Sequence, residues 1–319
     1  MNSTLAFLFP GQGSQSKGML DAYAGTHAAI VSATLNEASE ALGYDMAALI
    51  RDDADEKLNL TEYTQPALLT ASVAILRVWR ADGGAEAAQV AGHSLGEYSA
   101  LVAAASLDFA DAVRLVAFRG QAMSEAVPAD VGLMAAILGL DDAVMADICA
   151  QASTDDEKAW AANLNCPGQL VIAGHRPAVE RAMAAAAQAG AKRTMPLAVS
   201  APSHTPLMRP AAERMRERLQ QVTLRDPDRP VWSNARAMPL DQAAEIREAL
   251  IDQLVMPVRW TETIQGMRGR GIVHGVEMGP GKVLAGLVRR IERDIDVGTT
   301  AAPDQLAKSL AGLGEGGEQ

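Results

Sequence analysis

Residues 92–96 read Gly-His-Ser-Leu-Gly, directly after the short apolar stretch Ala88–Gly92 and directly before a helical pattern over Glu97–Ala105. A serine framed in this way sits on a sharp strand-to-helix turn. Such a turn needs glycine at both flanks, because a Cβ at either place would clash with the returning chain. It lifts the Ser94 hydroxyl off the backbone. The helix that starts beneath it offers unpaired N–H groups and the positive end of its dipole to a developing oxyanion. A turn that merely happens to hold a serine has the same five letters, so the remaining residues must decide between the two.

The surrounding pattern suits an α/β sheet. Thr4–Phe9 is a continuous apolar run, as expected of a strand buried on both faces of a parallel sheet. It breaks into the glycine loop Pro10–Gln15, and helical patterns follow over Ala28–Leu42, Gln65–Ala81 and Phe109–Ala126. From about 130 to 199 the rhythm changes: strands at Leu133–Leu138, Ala159–Leu164, Gln169–Ala173 and Lys192–Val199 enclose helices at Asp141–Ala152 and Arg176–Ala189. That order, βαββαβ, is the ferredoxin-like unit. Beyond 200 the first rhythm resumes, with helices at Pro206–Gln221, Ala243–Leu254 and Thr261–Arg268, strands at Val231–Asn234 and Ile272–Met278, and a last helix opened by Gly279-Pro-Gly281. The tail after Ala301 is expected to fray. The sequence thus predicts an α/β domain with a mostly parallel sheet, formed by residues 1–128 and 200–319, and an inserted ferredoxin-like subdomain at 129–199.

Composition narrows the function. Of 319 residues, 49% are hydrophobic and 21% charged, which excludes a disordered chain. The net charge of −11 repels phosphate backbones, so a nucleic-acid binder is not expected. Two cysteines, Cys149 and Cys166, suit free thiols in a reducing cytosol. No Cys/His cluster has metal-ligand spacing, the N-terminus lacks the basic start of a signal peptide, and no apolar stretch reaches membrane length. A soluble cytoplasmic protein is the expectation.

A serine nucleophile needs a base. Of the five histidines, His93 adjoins Ser94 and points elsewhere on a tight turn; His27, His175 and His274 lie in a polar helix start, a turn and a strand. His204 lies in Ser200-Ala-Pro-Ser-His-Thr-Pro206, an irregular segment before a helix, where catalytic groups often sit and solvent-exposed histidines equally so. No acidic third member stands out, which favours a dyad whose base is oriented by a backbone carbonyl. Arg119 has Leu115, Val116, Ala122 and Met123 at its helical neighbours, so its guanidinium faces apolar surroundings. It must there meet either a structural carboxylate or a ligand, and its planar fork suits a carboxylate ligand. The loop Phe9–Gln15 puts backbone amides at the carboxyl end of the sheet; a phosphate loop is disfavoured, because the G-x-x-x-x-G-K-[ST] pattern is absent.

Together these segments resemble the malonyl-CoA:acyl carrier protein transacylase family of bacterial fatty-acid synthesis. The matching stretches are FPGQGSQ at 9–15, TQPALLTAS at 64–72, GHSLGEYSAL at 92–101, DFADAVRLV at 108–116, RG at 119–120, NCPGQLVIAG at 165–174, PSH at 202–204 and EMGPGKVL at 277–284. They run in order from about Leu5 to Arg290, and the fold that the resemblance implies is a hydrolase-like α/β domain with a ferredoxin-like insertion. The resemblance implies Ser94 as the acylated nucleophile, His204 as its base, and Gln253 orienting His204 through its carbonyl. It implies Gln12 and Leu95 as oxyanion-hole amides, Arg119 as the partner of the malonyl carboxylate, and Asn163 and Asn165 as polar residues beside the site. Cys166 stands where the family usually has serine, and Met256 where a polar residue is common before Pro257.

The activity implied is malonyl transfer from malonyl-CoA to the phosphopantetheine thiol of acyl carrier protein, through a malonyl-serine, with no cofactor or metal. A monomer is expected. Acidic carrier proteins would dock at Lys192 and Arg193, or at Arg289, Arg290 and Arg293. The alternatives are a related acyltransferase of malonate decarboxylation or polyketide assembly, a serine esterase or thioesterase, and a non-catalytic carrier-binding protein. Arg119 and the missing triad acid speak against an esterase. The simultaneous presence of Ser94, His204 and Arg119 speaks against a non-catalytic binder.

Overall fold

The computed structural model describes residues 2–128, 130–199 and 201–314. Strand β1 (Asn2–Phe9) leads through helices α1 (Ala28–Leu42), α2 (Met46–Arg51) and α3 (Thr61–Ala81) to β2 (Ala87–Gly92), α4 (Gly96–Ala103) and α5 (Phe109–Ala126). Then come β3 (Gly132–Leu138), α6 (Asp142–Ala152), β4 (Ala159–Cys166), β5 (Gln169–His175), α7 (Arg176–Gln188) and β6 (Arg193–Pro196). The chain continues with α8 (Arg209–Gln220), β7 (Val231–Ser233), β8 (Met238–Leu240), α9 (Ala243–Val255), α10 (Trp260–Gly269), β9 (His274–Glu277), α11 (Val283–Ile291), β10 (Asp296–Thr299) and α12 (Pro303–Gly314).

Two sheets result. The larger runs β10-β9-β1-β2-β7-β8; every neighbouring pair is parallel except β7 with β8. The smaller runs β4-β5-β3-β6 and is antiparallel throughout, the strand order of a ferredoxin-like unit. β1 shows why the larger sheet accepts unbroken apolar runs. Leu5, Phe7 and Phe9 face one core with Trp79, Leu68 and Tyr98, while Ala6 and Leu8 face a second with Trp260, Ile264 and Leu287. Both pleats are therefore buried, and truncating Leu8 to alanine would cost about 2–5 kcal/mol. The small sheet has its own core against α6 and α7, built on Ile137, Ile172, Met145 and Val179.

Several boundaries depart from the sequence pattern. α3 starts at Thr61, a turn before Gln65, and carries Pro66 inside it. The last β-strand of the small sheet is only Arg193–Pro196, and Pro206–Met208 is a 3-10 turn from which α8 departs. The tail does not fray after Ala301: α12 packs on β10 and buries Leu306, while residues 315–319 lie outside the described region. α2, β8 and β10, too short for periodicity to reveal, complete the fold.

The topology puts the ends of β1 and β2 side by side, with Phe9 opposite Gly92, so both glycine loops leave the sheet at its carboxyl end. There the His93 amide donates to the Phe9 carbonyl at 2.9 Å. A Cβ on Gly96 would overlap that same carbonyl, and one on Gly92 would overlap the backbone of Gly96. Gly96→Ala is therefore expected to destabilise the protein by more than about 2 kcal/mol, read as a lower urea midpoint with an unchanged slope; an unchanged midpoint would refute the clash.

Candidate active site

Ser94 occupies the left-handed region, φ 50°, an unusual conformation for a residue with a side chain. Asn234 holds it there. Its Nδ2 donates to the Gly92 carbonyl at 2.7 Å, and its Oδ1 accepts the Ser94 N–H at 2.6 Å, bracketing the turn from both sides. The Ser94 side chain thereby points away from the sheet, into a cleft lined by Gln12, His93, Asn163, Asn165, Ser203 and His204.

His204 also has a positive φ, 62°, in a buried segment tied by its own bonds: Ser203 N–H to Ala201 O at 2.8 Å and Thr205 Oγ1 to Pro202 O at 2.6 Å. Its Nε2 lies 2.8 Å from Ser94 Oγ, and its Nδ1 lies 2.7 Å from the main-chain oxygen of Gln253. A carbonyl only accepts, so Nδ1 carries the proton and Nε2 keeps its lone pair toward the serine. Burial, reinforced by the charge of Arg119, lowers the imidazole pKa to about 3 against the pull of the Gln253 carbonyl. His204 is accordingly neutral and able to accept a proton.

Arg119 is fully buried on α5. Nη1 donates to Gln65 Oε1 at 2.8 Å; Nη2 donates to Gln253 Oε1 at 2.9 Å and reaches Ser94 Oγ at 3.3 Å. The guanidinium lies over the Tyr98 ring, 5.5 Å from its centroid, and its Nε has no partner. Among the described residues no carboxylate comes within ion-pair distance of it, so a structural salt bridge does not account for its burial. A buried cation beside a serine hydroxyl and satisfied only by neutral amides is suited to meet an anion in the cleft.

Leu95 N and Gln12 N donate to no acceptor among the described residues, and Leu95 stands at the start of α4. Asn163 and Asn165 lie on β4 at the cleft wall; Asn165 Oδ1 meets His93 Nε2 at 2.8 Å, which accounts for His93. His27 pairs with Asp82, and His175 accepts the Lys158 amide through Nδ1. Cys166 is buried beside Trp260 and Met256 is 40% exposed, so neither departure from the family pattern enters the serine–histidine–arginine cluster. Four residues of the site lay outside the sequence reading: Asn234, Gln65, Tyr98 and Glu97. Only Glu97 left a trace, as a charge next to the motif, where an acid in a first helical turn is unremarkable.

The fold and the cluster are those of an acyltransferase. The model of the acyl transferase domain family matches residues 6–305, and the chain belongs to this family, among its malonyl CoA-acyl carrier protein transacylases. The malonyl CoA-acyl carrier protein transacylase of Escherichia coli strain K12 is 51% identical over 305 residues, 96% of this chain and 98% of that protein; the one from Bacillus subtilis strain 168 is 44% identical over 98% of both. The crystal structure of the Xanthomonas oryzae malonyl-CoA:acyl carrier protein transacylase superposes with a TM-score of 0.95 at 48% identity, covering 98% of this chain and 99% of that one. A malonyl-transacylase in complex with its type II PKS acyl-carrier protein superposes at 0.94 with 46% identity, over 97% and 99%.

The lowered pKa of His204 has a consequence for stability. The unfolded imidazole titrates near 6.5, so between about 6.5 and 3 the unfolded chain binds the extra proton. The contribution of this group is complete above pH 6.5 and is lost as the pH falls toward 3. Between pH 6.5 and 4.5, urea unfolding of His204→Asn should lose less stability than the wild type; parallel curves would refute a neutral, buried His204.

Proposed function

We propose that the protein transfers the malonyl group of malonyl-CoA to the phosphopantetheine thiol of an acyl carrier protein, as a step of fatty-acid synthesis, through a malonyl ester on Ser94. The observation that carries this reading is the position of Ser94 Oγ, 2.8 Å from a neutral imidazole nitrogen and 3.3 Å from a buried guanidinium. His204 Nε2 takes the hydroxyl proton as Oγ attacks the thioester carbonyl. The amides of Gln12 and Leu95 hold the tetrahedral oxyanion, each worth on the order of a hundredfold or more in rate. The imidazolium, its Nδ1 proton anchored on the Gln253 carbonyl, returns its proton to the departing coenzyme A sulfur. The carrier thiol then gives its proton to His204, attacks the malonyl ester, and Ser94 leaves with that proton.

Selectivity is assigned to Arg119. A malonyl carboxylate occupies its fork, whereas an acyl group without one leaves the cation unanswered. The cleft offers Asn163 and Asn165 to the polar thioester arm. No group of three metal-ligating side chains exists among the described residues, and the steps above call for none. The buried free thiols of Cys149 and Cys166 suit a reducing cytoplasm, and no helix among the described residues is long and apolar enough to cross a membrane. The carrier of a polyketide assembly is the second reading, favoured by the neighbour solved with such a partner.

The test is a transfer assay with malonyl-, methylmalonyl- and acetyl-CoA. Arg119→Ala should cut malonyl transfer by at least about thirtyfold, from a penalty of roughly 2–5 kcal/mol, while acetyl transfer falls less or rises. Equal losses would remove Arg119 from the specificity role. In the same assay Ser94→Ala should give no mass adduct with malonyl-CoA; an adduct would move the nucleophile elsewhere.

For the carrier surface we propose two exposed basic patches that border one hairpin tip. Arg290 on α11 donates to Gln169 Oε1 at 2.6 Å and to Pro167 O at 3.3 Å, while Lys192 adjoins Gly139, whose amide donates to Gly168 O. With Arg193, Arg289 and Arg293 nearby, an acidic carrier would find positive charge on both sides of the tip. Reversing Lys192 and Arg193 to glutamate should raise the KM for carrier protein several-fold at low salt and leave Ser94 loading by malonyl-CoA unchanged; an unchanged KM would exclude that patch.

A further inference from the structure

One buried ionisable group has no part in the chemistry above. Glu97, on the first turn of α4, is 2% exposed. Its Oε2 accepts two bonds, from Gln253 Nε2 at 2.8 Å and from the Asn234 main-chain N–H at 3.0 Å. No cation among the described residues lies within ion-pair distance of it. The other end of the same Gln253 amide, Oε1, accepts from Arg119. A buried carboxylate and a buried guanidinium thus sit at the two ends of one side-chain amide, and neither touches another opposite charge.

Isolated buried charges are costly, and in a low-dielectric interior two opposite ones stabilise each other even at one remove. A direct pair would fill the fork of Arg119 and close it to any ligand. Separation by Gln253 supplies a counter-charge and leaves the guanidinium without a carboxylate in contact among the described residues.

We propose that Glu97 is the displaced counter-ion of Arg119, and that it takes up one proton from solvent when the substrate carboxylate docks on the guanidinium. This rests on the reading that Arg119 holds the malonyl carboxylate. Docking brings a second anion to a cluster with one cation, and like charges that share a site raise each other's affinity for a proton. The malonyl carboxylate, bonded directly to the guanidinium, stays ionised; Glu97, one amide away, is the easier to protonate. Burial already raises the Glu97 pKa to about 7. The charged and titratable groups facing it are Arg119 from α5, Arg236 beyond β7, which pairs with Asp252 of α9 at 2.9 Å, and the neighbouring Tyr98 phenol. β1 and β2 carry no ionisable side chain. Acylation itself is proton-neutral: the serine hydroxyl and the thioester give an ester and a thiol. Any uptake beyond that of an acyl group without a carboxylate therefore belongs to the cluster, and the proton returns to solvent when the malonyl group leaves. Glu97 is a positioning residue in this scheme, since it touches neither substrate nor Ser94 Oγ.

The test counts protons with a dye indicator in weak buffer at pH 8 while stoichiometric enzyme is acylated, with adducts confirmed by intact mass. The expected result is about half a proton or more taken up per malonyl adduct in excess of the acetyl adduct. Glu97→Gln, whose carbonyl can accept both existing bonds, should abolish the excess. In parallel, the ratio of malonyl to acetyl kcat/KM should fall on the order of tenfold between pH 6.5 and 8.5 in the wild type and stay flat in Glu97→Gln. A malonyl adduct without excess uptake, or a flat wild-type ratio, overturns the proposal and leaves the malonyl reading standing. Excess uptake that persists in Glu97→Gln puts the proton on His204 and overturns it too. If Glu97→Gln does not fold, the two wild-type measurements decide alone. Absence of any malonyl adduct overturns both readings together.

Discussion

The whole site depends on a backbone held out of its ordinary range at one residue. Ser94 at φ 50° carries a strain of about 1–3 kcal/mol, and it persists because the surroundings determine it several times over. The turn is closed below by Gly92 and Gly96, whose missing Cβ atoms let β1, β2 and α4 meet. Asn234 bridges it laterally, and Gln253 Nε2 donates to the Ser94 carbonyl at 3.0 Å. The Oγ position is consequently tied to main-chain geometry, with the His204 imidazole at 2.8 Å and the Arg119 guanidinium at 3.3 Å from it.

Electrostatics then divides the labour. Burial removes charge from His204, and no carboxylate among the described residues is in contact with the buried Arg119. The same low dielectric that makes the imidazole a neutral acceptor makes the unpaired guanidinium demand an anion. Gln253 joins the two: its carbonyl sets the tautomer of His204, while its side chain meets Arg119, Glu97 and the Ser94 carbonyl. One residue of α9 thereby couples the imidazole, the guanidinium and the Ser94 turn.

Much of this was legible in the residues, for local reasons. Unbroken apolar runs mark strands covered on both faces, and β1 is such a strand; α1 and α5 have the bounds that their periodicity predicts. The elbow was legible because glycine flanks are a steric demand of the chain itself. His204 was less so: a lone loop histidine has two equal readings until distance decides, and the pair to Ser94 spans 110 positions. Asn234 and Gln65 carried no local signal and Glu97 only an unremarkable charge beside the motif, since a buried amide or acid looks like any other until its partners are known. Short elements were lost for a related reason, as β10 is four residues long and takes its place only by pairing with β9.

The sequence by itself determined the alternation of strand and helix, the place of the sharp turn, and the chemical kinds of group available, because each follows from spacing and sterics within a few residues. The tertiary structure alone decided that Ser94, His204, Arg119 and Gln253 form one hydrogen-bonded cluster, that no carboxylate among the described residues touches the guanidinium, and that Glu97 stands behind it. Those facts depend on contacts between distant segments and on the burial that comes with them, and burial is what turns a hydroxyl, an imidazole and a guanidinium into a reactive set.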